Sequence, residues 1–242
     1  NIIFMSTPYD KKSVDLLCRL NVEIFKIAST DSNNYQLIEY IAKKRKPVIL
    51  STAMSGFKEI QRSVMILKKH LKKNFALMQC TGSYPAPIQD ANLKVIETFR
   101  KKFGCLVGYS DHVMGDAAAI ASIPFGISCY EKHITVNKKL PGPDHRASLN
   151  KSEFTELVKK IRLAEIALGN GVKKIMRSEK NNVKKLKKYL VATKNIFKGR
   201  KIKSSDITAK RTGGIGISAD KYFDIVNKIA LRNFIKNSPL VK

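Results

Sequence analysis

Two of the chain's four histidines, His112 and His133, stand just beyond short apolar runs, in Ser110-Asp111-His112 and Glu131-Lys132-His133. A lone histidine at such a place is ordinarily a hydrogen-bonded structural residue. Two at equivalent ends of neighbouring parallel strands, about 4.8 Å apart, can converge on one ion. With only two nitrogen ligands, that ion keeps positions open for water and substrate oxygens, as Lewis-acid chemistry requires. Lys26 shares strand parity with Ile24 and Ala28, whereas Phe25 and Ile27 point the other way. If Phe25 and Ile27 pack against helices, Lys26 faces the interior, where an ammonium is costly unless it meets an anion. It therefore calls for a negative ligand, a Schiff base, or an ion pair with Asp31 or Glu131. Ser29, Ser51 and Ser110 bring hydroxyl donors from three strand ends, which suits an oxygen-rich anion such as phosphate, although single serines there are usually turn formers. Asp144, in Pro141-Gly142-Pro143-Asp144, is either a turn aspartate or an acceptor for substrate hydroxyls.

The elements that must position these groups read as alternating strand-length runs and amphipathic stretches. Ile2-Phe4, Ile24-Ala28, Val48-Leu50, Phe75-Cys80, Leu106-Tyr109 and Ile127-Tyr130 are the runs, and the stretches between them have period 3.6. Six successive βα units ending near Gly169 predict a parallel sheet with outer helices. A closed eight-unit barrel takes about 250 residues, so six units leave two missing. An open doubly wound sheet is the competing architecture. Chemistry in a barrel collects at the C-terminal strand ends, where every candidate above lies.

After Gly169 the pattern changes. Residues 171–188 are polar and Lys-rich and read as a linker; 189–242 carry short β-like runs (Leu190-Thr193, Ile207-Ala209, Ile229-Leu231) between turn residues. Ile196-x-x-Gly199-x-x-Ile202 is echoed by Phe234-x-x-Asn237-x-x-Leu240, a hint of an internal repeat. Gly214-x-Gly216-x-x-Ala219 fits a dinucleotide pattern, but too little chain follows it for a βαβ unit. Asn150-Lys-Ser152 reads as a helix N-cap for the stretch ending at Leu168 rather than as a glycosylation site.

The 242 residues hold 46 Lys+Arg against 19 Asp+Glu, a formal charge of +27. Such a charge raises nucleic acid as a partner, yet the excess lies on helix-like or linker segments without interleaved aromatics, which fits a solvated surface better. A hydrophobic content of 43% fits a globular chain rather than a disordered polycation, and no apolar run reaches the roughly 18 residues of a membrane span. Four cysteines without a C-x-x-C pair fit a reduced, cytoplasmic compartment, and no targeting segment is expected at Asn1.

Together the strand-end motifs resemble the N-acetylneuraminate (sialic acid) synthase family, including the legionaminate synthases. The resemblance is carried by Phe4-Met-Ser-Thr-Pro-Tyr-Asp10, Lys26-Ile-Ala-Ser29, Pro47-Val-Ile-Leu-Ser-Thr-Ala-Met54, Cys80-Thr81 with Tyr84-Pro-Ala-Pro87, Gly108-Tyr-Ser-Asp-His112, Glu131-Lys-His133 and Pro141-Gly-Pro-Asp-His-Arg-Ala-Ser-Leu149. The tail is similar to the family's antifreeze-like (SAF) domain through Leu190-Val-Ala, the Ile196 repeat, Asp206-Ile207 and Lys210-Arg211. The resemblance implies an α/β fold: a TIM (β/α)8-type barrel lacking its first two βα units over residues 1–170, a linker over 171–188, and a small β-rich SAF (β-clip) domain over 189–242. It implies a homodimer in which each SAF domain caps the partner's barrel. It also implies a transferase reaction, the condensation of phosphoenolpyruvate with an N-acetylated amino sugar aldehyde to a nonulosonic acid, with release of phosphate.

Carried over by position, His112 and His133 resemble ligands of a divalent metal, manganese first, with magnesium or cobalt also suited. Lys26, Ser29, Ser51 and Ser110 match positions that hold phosphoenolpyruvate; Tyr84 and Asp144 match residues near the acceptor sugar; Arg211 matches the SAF arginine that reaches the sugar across the dimer. Lys26, Asp31 and Glu131 form the candidate catalytic set, Asp31 standing where the family usually has Glu. Gly82 stands where a side-chain donor is common, with Ser83 as the possible replacement, and Ala53 and Thr212 depart from the usual Gly and Pro. Two readings compete with the enzyme: a non-catalytic, truncated paralogue that keeps the fold, and a basic nucleic-acid-associated protein.

Overall fold

The structure is a computed structural model and describes residues 2–241. The chain divides into two compact units, residues 1–170 and 171–242.

In the first unit, amphipathic helices and short apolar strands alternate: α1 (Lys11–Arg19), β1 (Phe25–Ile27), α2 (Tyr35–Ala42), β2 (Val48–Ser51), α3 (Phe57–Leu71), β3 (Phe75–Cys80), α4 (Lys94–Phe103), β4 (Leu106–Asp111), α5 (Ala117–Ser122), β5 (Cys129–Lys132) and α6 (Lys151–Leu168). The five strands pair in chain order and all in parallel, β1-β2-β3-β4-β5, as expected for consecutive βα units of a barrel. Their sequences explain the arrangement. A parallel strand is covered on both faces and reads as a nearly continuous apolar run, and all six residues of Phe75–Cys80 are buried. Phe25, Ile27, Leu50, Leu77 and Val107 meet Ile38, Ile41, Val64, Leu67, Ile96 and Phe99 of the helices in one core.

Helix ends follow local chemistry. Asp10 caps α1 through Ser13 N–H, Asn34 caps α2, and Asn150 closes a capping box with Glu153 at the start of α6, as its position in the sequence predicts. Gly108 is required by packing, since a Cβ there would lie 2.4 Å from Cys129 Sγ and 2.6 Å from the Cys129 carbonyl oxygen. That close approach lets β4 and β5 lie side by side.

The first predicted strand, Ile2-Phe4, does not form. Its side chains are exposed, and among the described residues the ladder toward β1 is reduced to one long backbone bond just after it, Lys26 N–H to the Ser6 carbonyl at 3.4 Å. An apolar run becomes a strand only when a ladder holds it, and one such bond does not make a ladder.

In the second unit, α7 (Lys180–Leu186) occupies the segment expected to be a plain linker, and β6 (Lys188–Ala192) begins within it. β6 pairs antiparallel with β7 (Ile207–Arg211), and α8 (Tyr222–Ile225) follows. Of the third predicted run, Ile229 makes only an isolated bridge to Lys201. The sequence repeat is real in three dimensions. Ile196 and Phe234 exchange both backbone bonds at 2.8 Å; Gly199 N–H donates to Ala230 as Asn237 N–H donates to Ala192; Ala230 N–H donates to Arg200 as Ala192 N–H donates to Ser238. Side chains obey the same exchange, Asn233 accepting from Lys198 N–H and Asn195 from Lys236 N–H, each at 2.8 Å. Gly199 and Asn237, with φ of 82° and 68°, are the equivalent left-handed turn positions. Leu190, Ile196, Ile202, Ile207, Phe234 and Leu240 fill a small core. Gly216, from the dinucleotide-like pattern, serves packing: with φ of 105°, its missing Cβ leaves room for the Leu240 carbonyl oxygen at 2.8 Å.

Candidate active site

The C-terminal ends of the five parallel strands enclose a cavity of about 480 Å³ lined by Lys26, Ser29, Ser51, Tyr84, Ser110, His112, Glu131, His133 and Asp144. Nine of the eleven candidates read from the sequence therefore share one cavity. Asp31 does not line it. Asp31 rides on the 3₁₀ turn after β1, and its carboxylate accepts from Asn34 Nδ2 at 2.8 Å, the short side chain being held by the residue that also caps α2. Arg211 lies exposed at the end of β7 in the second unit.

Lys26 is 7% exposed, and its neighbours decide between the two carboxylates that the sequence offered it. Its ammonium donates to Ser51 Oγ at 2.7 Å and to the Ile27 carbonyl at 3.3 Å, and lies 3.6 Å from Glu131 Oε2. Glu131, not Asp31, is the carboxylate partner. Glu131 Oε1 accepts from Ser110 Oγ at 2.6 Å, so one carboxylate links the β4 hydroxyl to the β1 ammonium. Ser29 Oγ accepts from Ala53 N–H at 2.9 Å, which leaves its own proton to donate. The ammonium and the Ser29 and Ser51 hydroxyls thus offer donors to the cavity, with the Ser110 proton already on Glu131, a set matched to an oxygen-rich anion.

The imidazoles line the same cavity. The His112 and His133 rings are 5.2 Å apart, centre to centre, and nearly perpendicular. His112 Nδ1 lies 2.7 Å from the Thr81 carbonyl, which can only accept, so that nitrogen carries the proton and the Nε2 lone pair is left for a ligand. Burial pushes the His112 pKa below its usual value, opposed by the bond to Thr81 and assisted by nearby His133, which favours the neutral, ligating form. His133 Nδ1 is 3.8 Å from Asp144 Oδ2. Two imidazoles bound to one ion through nitrogens about 2.1 Å from it, at about 90–110°, have ring centres roughly 4.6–5.3 Å apart, so the observed pair fits a shared divalent ion. Among the described residues no cluster of three or more His, Cys, Asp or Glu groups is placed to hold a metal; an ion at His112 and His133 would take its remaining ligands from substrate oxygens or water. The Tyr84 ring lies against His112 at a 33° tilt with centroids 4.0 Å apart and meets His133 edge-on at 5.4 Å, giving the pocket an aromatic wall.

Several contributors escape a reading based on strand-end polarity. Thr7 and Tyr9 also line the cavity, at the end of the first apolar run, where the same rule applied once more finds them. Cys80 lies 3.8 Å from His112 Nδ1, its thiol pKa raised by burial and so kept uncharged. Behind the cavity, Asp111 and Lys132 form an ion pair at 3.1 Å with side chains 0% and 1% exposed. Asp111 also accepts from Tyr130 at 2.7 Å, from Tyr109 at 3.1 Å and from Val113 N–H at 2.8 Å. Burial and the Asp111 charge raise the pKa of both tyrosines, which stay protonated donors. Ser83, the expected substitute for a donor at Gly82, donates to the Pro85 carbonyl and is absent from the cavity lining; Met54 occupies the space a Cβ at Gly82 would need. A larger cavity, about 700 Å³, lies between the starts of α5 and α6, but its charges are already paired, Lys160 with Asp116 at 2.6 Å and Lys138 with Glu153 at 2.7 Å.

Comparison with known proteins gives the family of the chain. Residues 1–173 match the NeuB family and residues 187–242 match the SAF domain. The chain belongs to the NeuB family. It is 41% identical, over all of its length and 72% of the relative's, to N,N'-diacetyllegionaminic acid synthase of Campylobacter jejuni. It is 36% identical to human N-acetylneuraminate-9-phosphate synthase, covering 95% of the chain and 64% of the relative. Among solved structures it resembles the N-acetylneuraminic acid (sialic acid) synthetase of Leptospira borgpetersenii, with a TM-score of 0.70, 37% identity, and coverage of 76% of this chain and 64% of that one. For this NeuB-family chain the parallel half-barrel and the small antiparallel sheet are therefore the expected architecture. Among the described residues no helix is long and apolar enough to cross a membrane.

Proposed function

We propose that this chain provides the catalytic surface of a nonulosonic acid synthase, condensing phosphoenolpyruvate with an N-acetylated amino sugar aldehyde, such as N-acetylmannosamine or a diacetamido relative, and releasing phosphate. The observation that carries this reading is one cavity that brings an ammonium and the Ser29 and Ser51 hydroxyls together with a pair of imidazoles. Its NeuB-family relatives, named for sialic and legionaminic acid synthesis, support the same chemistry.

Lys26, Ser29 and Ser51 neutralise and orient the phosphate and carboxylate of phosphoenolpyruvate beside the bonded Ser110 and Glu131, in a buried setting where each charge-assisted bond counts for more than in water. His112 and His133 hold a divalent ion, manganese or alternatively magnesium or cobalt, which when bound polarises the aldehyde oxygen. C3 of phosphoenolpyruvate then forms the new bond to the aldehyde carbon. That bond leaves an alkoxide on the former aldehyde carbon and an electron-poor C2; water adds at C2, the Glu131 carboxylate, held by Ser110 and Lys26, takes the proton that the water gives up and passes it to the alkoxide, and the C2–O bond to phosphate breaks as the C2 hydroxyl becomes the ketone, its proton leaving with the phosphate. Tyr84 and Asp144 bracket the sugar. Arg211 reaches the N-acetyl group from the SAF domain of a partner subunit in a homodimer; its exposed position in the second unit leaves it available for that contact. Four free cysteines support a reducing, cytoplasmic setting.

The test is a coupled assay of phosphate and nonulosonic acid with the aldehyde sugars and phosphoenolpyruvate. One phosphate per product, formed only when both substrates and a divalent ion are present, is the expected result. Phosphate release that ignores the sugar overturns the proposal.

A further inference from the structure

We infer that Asp111 and Lys132 are positioning residues that lock the two imidazoles into a common register, and that this role, rather than stability, is what the buried pair supplies. The inference rests on the assignment of His112 and His133 as the metal-binding pair.

The geometry brackets His112 on both sides. Strand parity sends Ser110 and His112 toward the cavity and Asp111 to the opposite face, and likewise Glu131 and His133 against Lys132. Asp111 is in register with Lys132, so His112 and His133 are the next residues on adjacent strands. The Asp111 carboxylate accepts from the backbone N–H of Val113, the residue after His112. The Lys132 ammonium donates to the Val113 carbonyl as well as to Asp111. The residue before His133 is thereby tied to the residues on either side of His112. Regular β4–β5 pairing ends at Asp111 and Lys132, so beyond that point this pair takes over the work of the ladder. Tyr109 and Tyr130 fill the remaining acceptor sites of the carboxylate, and the missing side chain at Gly108 lets the two strands approach.

A buried ion pair is often no more stabilising than an apolar substitute of the same volume, whereas leaving one member alone is costly. A pair this thoroughly buried is therefore better explained by geometry than by stability. Removing both charges should leave a folded chain whose imidazoles are no longer held at their spacing.

The experiment compares the wild-type chain with the Asp111→Asn/Lys132→Met double variant, using Mn²⁺ alone as the probe. A second readout, independent of metal, is hydrogen exchange of the His112 Nδ1–H in ¹⁵N-labelled protein. Expected are unchanged far-ultraviolet circular dichroism, Mn²⁺ binding weaker by about 10–100-fold, the range found when outer-shell partners of metal ligands are lost, and at least about tenfold faster exchange of the His112 ring proton as its bond to Thr81 loosens. A folded double variant with wild-type Mn²⁺ affinity and wild-type exchange overturns the inference. If the double variant does not fold, Tyr130→Phe replaces it; that change removes one hydroxyl from Asp111 and keeps the ion pair. It should weaken Mn²⁺ binding and speed the exchange by about threefold or more, and no change in either overturns the inference. A His112→Ala/His133→Ala control that binds Mn²⁺ like wild type overturns the metal reading instead, and the ring-proton exchange then decides the positioning role by itself.

Discussion

The two units of the chain spend polar groups in opposite ways. In the second, Asn195 and Asn233 satisfy backbone N–H groups across the repeat, and Asp206 holds Lys203 N–H and the Lys194 ammonium. In the first, Lys26, Ser29, Ser51, Ser110 and Glu131 point into a cavity and bond chiefly to one another and to loop backbone. A buried polar group that serves the fold should cost stability when removed. One that serves a ligand should cost binding and leave stability alone or improve it, because its desolvation is relieved.

Lys26→Met/Glu131→Gln, which removes both members of the pair rather than stranding one, separates the two most sharply. Phosphate release should fall by about 100-fold or more, as when a preorganised charge-stabilising donor is lost, while the melting temperature holds or rises. A large loss of stability in that variant would place the pair with the fold-serving groups. Asn195→Ala and Asn233→Ala should each destabilise the second unit by about 1 kcal/mol, the net value of a typical hydrogen bond. The two losses should match, since the sites are equivalent, and phosphoenolpyruvate binding should be unaffected; urea unfolding and a binding titration check both. Unequal losses would show that the repeat is not energetically symmetric.

The smallest effect concerns pH. The Lys194 ammonium and Lys203 N–H hold the Asp206 pKa below its usual 3.8. A depressed folded-state value contributes stability that is fully present above the unfolded pKa and is lost as pH falls through the folded one. Thermal melts between about pH 5 and 2 should show the second unit weakening below about pH 4, and Asp206→Asn should lower stability at neutral pH and flatten that dependence.

Much of this contrast was legible in the sequence. Continuous apolar runs marked β1 to β5, and the rule that chemistry gathers at strand ends picked out Lys26, Ser51, Ser110, His112 and His133 without any structural information. The Ile196 and Phe234 repeat was visible as spacing, and its meaning, a reciprocal pairing of backbone groups, required the fold. Asp111 and Lys132 were missed because they occupy the alternate parity, facing the helices, where a charge reads as exposed until the sheet is seen to bury it. Asp31, outside the cavity lining, and the Ile2-Phe4 run, which forms no strand, share a related reason. Residue type says that a carboxylate or a strand could form, while the outcome depends on a neighbour, Asn34 for one and a ladder for the other, that local pattern does not specify.

The most direct test of the imidazole pair is the rate of phosphate release by His112→Ala at saturating Mn²⁺ and both substrates. A fall of about 100-fold or more, with phosphoenolpyruvate binding retained on the Lys26 side of the cavity, is the predicted result. A rate equal to wild type would contradict it.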